Sequence, residues 1–109
     1  PKIPSYKIVD VATAIGPDCI QDEVGIRPGE KLHEEMITVS DALNTYDIGK
    51  YYVILPQHTV FDKEKFIQHF NAKLVDQNFS YNSGDNEEWE TVESLRALVK
   101  THVDPNFKV

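Results

Sequence analysis

The chain has 109 residues, 40% of them hydrophobic and 27% charged, with a formal net charge of −7. That length suits one small domain with a modest core, and an acidic surface spread over both halves of the sequence repels nucleic acid and anionic membranes. A single cysteine, Cys19, excludes an internal disulfide and fits a reducing, cytoplasmic setting.

In chain order, Ser5 is a candidate N-cap for a helix over residues 6–15, where Ile8, Val9, Val11, Ala12 and Ile15 recur at helical spacing. Gly16-Pro17 stops it, with Gly suited to a left-handed cap. Ile20, Val24 and Ile26 then fall on even positions, the pattern of a half-buried strand over residues 20–26, with Cys19 packed at its start. Arg27-Pro28-Gly29 is a turn signal. Residues 31–35 read as a short helical turn and residues 36–39 as a second strand. Ser40-Asp41 caps another helical turn through Leu43. The run Tyr51 to Leu55 is the strongest strand, and Pro56 ends it. Asp62 caps a helix whose Phe66, Ile67, Phe70 and Leu74 share a face. Residues 76–88 are polar and turn-rich. Thr91 then caps a last helix with Val92, Leu95, Leu98 and Val99 as its apolar stripe. The sum is a small α/β assembly of two or three short strands and three main helices, a thin layer that leans on a larger partner domain.

The candidate ligand site is the turn Arg27-Pro28-Gly29-Glu30. A guanidinium offers fixed donors that match two phosphate oxygens, and a carboxylate accepts from a ribose diol. Pro28 and Gly29 fix the bend and let a ligand approach the backbone. A surface salt bridge beside a turn satisfies the same spacing. Lys31 and His33 lie close enough in sequence to add charge or a donor, although a solvated Lys31 and an internally bonded His33 are the simpler roles.

Other patterns carry less. Tyr46 and Lys50 match the Tyr-x-x-x-Lys spacing of short-chain dehydrogenases, but Gly49 breaks the helix that the chemistry needs. His33, His58, His69 and His102 show no metal-ligand spacing. Phe79, Tyr81, Ser83, Asn86 and Trp89 form an aromatic–polar set that reads as a loop pinned to the core, with a binding role if the rings are exposed.

Residues 1–12, the run Ile26 to Glu34, Tyr51 to Ile54 ahead of Pro56, and Tyr81-Asn82-Ser83 with Asn86 and Trp89 together resemble a known family. They are similar, in order, to the carboxy-terminal region of inverting, 5-epimerising UDP-N-acetylglucosamine 4,6-dehydratases. These are extended short-chain dehydrogenase/reductases of bacterial surface-polysaccharide and pseudaminic-acid-type pathways. The resemblance implies that residues 1–109 form a small α/β substrate-binding domain with the Rossmann domain absent. It implies that Arg27 contacts the diphosphate and Glu30 the ribose of a UDP-sugar, with Pro28 and Gly29 shaping the turn. In that family NADP oxidises C4, water leaves from C6 and hydride returns at C6. No glycine-rich loop or matching catalytic Tyr and Lys stands in this sequence. The expectation is therefore a fragment without catalytic residues, cofactor or metal. It would be inactive alone and a weak UDP binder, and would work with an amino-terminal Rossmann domain that holds NADP. Association with further copies of itself is expected, with no nucleic-acid or membrane partner. A nucleotide-sugar epimerase or reductase, or a stand-alone interaction module, are the alternatives.

Overall fold

The computed structural model describes residues 1–58 and 60–109. They divide into two compact units: Pro1–Ile3 with His33–Asp85, and Pro4–Leu32 with Asn86–Val109.

The first unit is built on a hairpin. β1 (Glu35–Ile37) leads into a 3-10 helix (Val39–Asn44), then β2 (Thr45–Asp47) and β3 (Tyr52–Ile54). After α1 (Ile8–Ile15) of the second unit, the next α-helix in the chain is α2 (Lys63–Phe70), followed by β4 (Lys73–Leu74) and β5 (Tyr81–Asn82). β2 pairs antiparallel with β3, setting Tyr46 opposite Val53, and on its other side with β4, setting Tyr46 opposite Leu74. β1 and β5 form a separate antiparallel pair with a register shift between Glu35 and Ile37. The core is small: Tyr46, Leu55 and Ala72 are buried, with Ile48, Val53, Phe66 and Ile67 packed against them.

Local chemistry explains the elements. Thr38 and Asp41 form a capping box at the 3-10 helix, each side chain accepting from the other's backbone N–H. Fully buried Thr45 satisfies its hydroxyl by donating to the Asp41 carbonyl at 2.7 Å. Asp62 caps the helix Lys63–Phe70 by accepting from Lys65 N–H at 3.0 Å. Asn71, at φ 48°, ends it in the left-handed conformation that Asn tolerates. The aromatic set behaves as a pin: the Tyr52 ring meets Phe79 at 4.9 Å and Tyr81 at 5.2 Å between centroids.

Lys2 ties the start of the chain to this unit. Its ammonium reaches both Asp47 carboxylate oxygens, at 2.9 and 2.8 Å, and lies 4.4 Å from the Tyr52 ring centre. The hydrogen bond from Lys2 holds the Asp47 carboxyl below its ordinary range, against partial burial and with help from the Gly49 N–H. Partial burial pulls Lys2 down, but the Asp47 hydrogen bond and the attraction of Tyr52 and Asp47 outweigh it and the net shift is upward. The depressed acid contributes stability above the unfolded Asp pKa of about 4 and loses it as pH falls through the folded value. The raised Lys contributes below about 10.4 and loses it as pH rises through its folded value. Asp47→Asn is therefore expected to cost about 1 kcal/mol or less between about pH 5 and 9, because solvent screens this only partly buried pair, and nothing at about pH 2. Urea midpoints at the two pH extremes check this.

The second unit holds α1 (Ile8–Ile15) and α3 (Val92–His102). Arg96 of α3 donates from Nε to the Ala14 carbonyl at 3.1 Å and from a terminal nitrogen to the Thr13 carbonyl at 3.3 Å, so its guanidinium caps the end of α1. α3 opens on a capping box of Thr91 and Ser94.

Several expectations are corrected. Ser5 is not the cap of the first helix: Lys7 occupies that position without a side-chain bond. Ser5 is instead buried in a parallel bridge to Trp89, its N–H on the Glu88 carbonyl and its carbonyl on the Glu90 N–H. Gly16 has φ −139°, not a left-handed value. A Cβ there would stand 2.7 Å from Cys19 Sγ, the tip of an exposed side chain that would have to turn aside. Cys19 itself is exposed rather than packed. Residues 20–26 form no strand and find no strand partner among the described residues. Ile20 and Val24 are both 91% exposed, so their alternation has no sheet to serve. Residues 31–35 are a bend running into β1 rather than a helical turn. Leu74 belongs to β4, not to the preceding helix, which stops at Asn71. The described residues hold five strands rather than two or three, because β4 and β5 are only two residues long.

Candidate functional site

Arg27, Pro28, Gly29 and Glu30 form one hydrogen-bonded turn in the second unit. Glu30 N–H donates to the Arg27 carbonyl at 3.0 Å, and Gly29 has φ +87°. Proline at the second position and a positive-φ glycine at the third are the requirements of a type II turn. The bend is thus set by its own residues.

The carboxylate of Glu30 folds back across the bend. It accepts from the Arg27 backbone N–H at 2.8 Å and from Arg27 Nε at 2.7 Å, and a terminal guanidinium nitrogen lies 2.6 Å from Oε1. The side-chain bond from Arg27, then the backbone bond, hold Glu30 below the usual carboxylate range. Side-chain exposure is 82% for Arg27 and 40% for Glu30, so the pair sits on an open turn with most of the guanidinium in solvent. The structure brings together the two groups that the sequence singled out, and each is the other's partner.

The neighbouring candidates separate. Lys31 is exposed. His33 belongs to the first unit, where its ring rests on Gly84. Tyr46 is buried in β2, while Lys50 lies beyond Gly49 in the hairpin bend, so the Tyr-x-x-x-Lys pair shares no helix face. Among the described residues no three His, Cys, Asp or Glu side chains stand together as a metal site.

A cavity of about 630 Å³ opens at the start of α3, where Lys7 faces Asp10, Glu90 and Glu93 beside Trp89. Three carboxylates against one ammonium make it a poor host for phosphate. Among the described residues the strand pairings are antiparallel apart from the single Ser5–Trp89 bridge. No helix among the described residues is long and apolar enough to cross a membrane.

Sequence reasoning missed the contact of the His33 ring with Gly84. The Asn82-Ser83-Gly84-Asp85 run signalled a loop, but not that a ring lies on the glycine.

Two curated proteins match most of this chain. Both are named UDP-N-acetylglucosamine 4,6-dehydratase (inverting) and come from Campylobacter jejuni subsp. jejuni, serotypes O:2 and O:23/36. They are 39% and 38% identical over 104 residues, which cover 91% of this chain. The matched region is 31% of the length of each, so the chain spans about a third of these relatives. The resemblance read from the sequence agrees with these names. Residues 1–56, which include the whole Arg27–Glu30 turn, match the family described as polysaccharide biosynthesis protein, and the chain belongs to that family.

Proposed function

We propose that these residues are the nucleotide-sugar-binding part of a longer protein, an inverting UDP-N-acetylglucosamine 4,6-dehydratase that serves surface-polysaccharide or glycan synthesis in the cytoplasm. The similarity to two dehydratases of that name over 91% of this chain carries the reading.

In this reading residues 1–109 are the carboxy-terminal substrate domain. The Arg27 guanidinium binds two oxygens of the diphosphate, and the Glu30 carboxylate accepts from the ribose hydroxyls. Pro28 and Gly29 keep the two groups on one bend, so little conformational entropy is lost when the ligand arrives. NADP belongs to the remainder of the protein and supplies the hydride chemistry there. In this reading none of residues 1–109 takes part in the chemical steps, and the fragment alone is inactive and binds UDP weakly. The remainder of the protein and further copies of it are the partners that cover exposed apolar residues such as Ile8, Ile20 and Val24.

The test is the reaction of the full-length protein with UDP-N-acetylglucosamine and NADP. The expected product is a 4-keto-6-deoxy sugar nucleotide, lighter than the substrate by one water in the mass spectrum. A product of unchanged mass is an epimer and defeats the proposal, as does a mass higher by two hydrogens.

A further inference from the structure

The three-stranded sheet of the first unit ends on one side in β3, and no strand covers its outer edge among the described residues. The hydrogen bonds show which groups that edge offers. Ile48 N–H donates to the Tyr51 carbonyl at 3.0 Å and Leu55 N–H to the Asn44 carbonyl at 2.8 Å, so residues 51, 53 and 55 turn their peptide groups toward the β2 side. Tyr52 and Ile54, one step out of phase, present theirs to the outer edge. That is the side on which the Lys50 carbonyl accepts from Lys2 N–H at 2.9 Å, so Lys2 makes the first rung of a ladder there. Tyr81 steadies the same segment, its hydroxyl accepting from Ile3 N–H at 2.7 Å and donating to the Ile3 carbonyl at 2.8 Å. Beyond Lys2, Pro1 lines a groove of about 350 Å³ together with Tyr52, Val53 and Ile54 of β3 and Met36 and Ile37 of β1. Met36 is 58% and Ile54 47% exposed, so the groove carries uncovered apolar surface.

We propose that the residues immediately ahead of Pro1 in the longer protein form a β-strand that lies in this groove, antiparallel to β3, and widens the sheet from three strands to four. The inference rests on one part of the proposed function, that residues 1–109 follow the remainder of a longer chain, of which they span about a third in the curated relatives. Direction comes from the segment already in place. Traced backwards from Lys2 at Lys50, it reaches Pro1 beside Tyr52, Val53 and Ile54, so it runs against β3. Register follows from the ladder. With Lys2 opposite Lys50, the first residue ahead of Pro1 exchanges hydrogen bonds with Tyr52 and the third with Ile54, while the second faces Val53 across a non-bonded pair. Pro1 falls on a step whose peptide nitrogen points away from β3, where a strand tolerates a residue without an N–H. An open edge beside apolar side chains invites pairing with other chains, and a strand of the same chain removes that hazard. Its covalent attachment at Pro1 gives it a high effective concentration at the edge, which a second copy lacks.

The test is cysteine cross-linking in the full-length protein, on a Cys19→Ser background that removes the exposed thiol. Val53→Cys is combined in turn with a cysteine at the first, second or third residue ahead of Pro1. Diamide then takes up the two hydrogens of the thiol pair, and peptide mass mapping identifies the linked residues. The second position is expected to link to Val53→Cys within one chain, at least about ten-fold more than the first or third, which lie on the opposite face of the pleat. Equal linkage at all three positions, or none, overturns the proposal. So does a link between two chains, which gives the edge to a second copy. Hydrogen exchange of the unmodified full-length protein needs no substitution. The N–H groups of Tyr52, of Ile54 and of the first and third residues ahead of Pro1 are expected to exchange at least about 100-fold more slowly than in an unstructured chain, and free-chain rates there overturn the proposal as well. Both measurements are independent of catalysis. A full-length protein that makes the 4-keto-6-deoxy product without the cross-link loses the strand and keeps the function. One that forms the cross-link without the product keeps the strand and loses the function.

Discussion

Arg27→Ala in the full-length protein is expected to raise KM for the UDP-sugar by about 10- to 100-fold while kcat stays within about two-fold, the scale of losing charge-assisted bonds to a phosphate. In the proposed reading the guanidinium binds the diphosphate, which does not react, so the bond would be present in ground state and transition state alike. Arg27→Lys keeps one positive charge but not the fork, and an intermediate KM is expected. The thermal midpoint should not move, because the Arg27–Glu30 pair lies on an open turn and Pro28 and Gly29 fix the bend without it. A loss of kcat with KM unchanged would refute a binding role and place Arg27 in the chemistry instead.

The largest stability effect is expected at Leu55, which is 3% exposed and lies in the core with Tyr46 and Ala72. Truncation to Ala removes buried methyl groups and leaves a hole between the sheet and the helix Lys63–Phe70, at a cost of about 2–5 kcal/mol. A domain of this size holds only about 5–15 kcal/mol in all, and a small one sits near the low end. Leu55→Ala should therefore lower the thermal midpoint of the first unit by about 8 °C or more. Leu55→Met, which keeps the volume, should cost less than about 1.5 kcal/mol. Val60, at 96% exposure, is the control, and Val60→Ala should stay within about 0.5 kcal/mol. Equal shifts for Leu55→Ala and Val60→Ala would mean that the packing around Leu55 does not hold this unit together.

The helix starts were readable where one side chain settles one backbone group. Asp62 and Thr91 cap as the sequence indicates, because a short oxygen side chain beside a helical run has a local task. The run through Tyr52–Ile54 was readable because β-branched and aromatic residues cluster before a proline. The failures are places where a local pattern needed a distant partner. Ile20, Val24 and Ile26 alternate correctly, but alternation states only what a strand would bury, not that a neighbour exists. Ser5 had the composition of a cap and was taken by Trp89, more than 80 residues away in sequence. β4 and β5, at two residues each, are too short to carry any period. The site divides along the same line. A proline, a glycine and an acid after an arginine specify the bend locally. The seat of His33 on Gly84 depends on two segments 51 positions apart and leaves no local trace.

The carboxylate that grips its own arginine has a consequence for release. In the proposed enzyme a phosphate that claims the guanidinium must first evict Glu30, a rival tethered three residues away and therefore present at high effective concentration. Affinity is trimmed by that competition, and the same rival stands ready to reclaim the arginine when the product begins to leave. Such a tethered rival shortens the residence of the spent nucleotide sugar and keeps a tight anchor from becoming a trap.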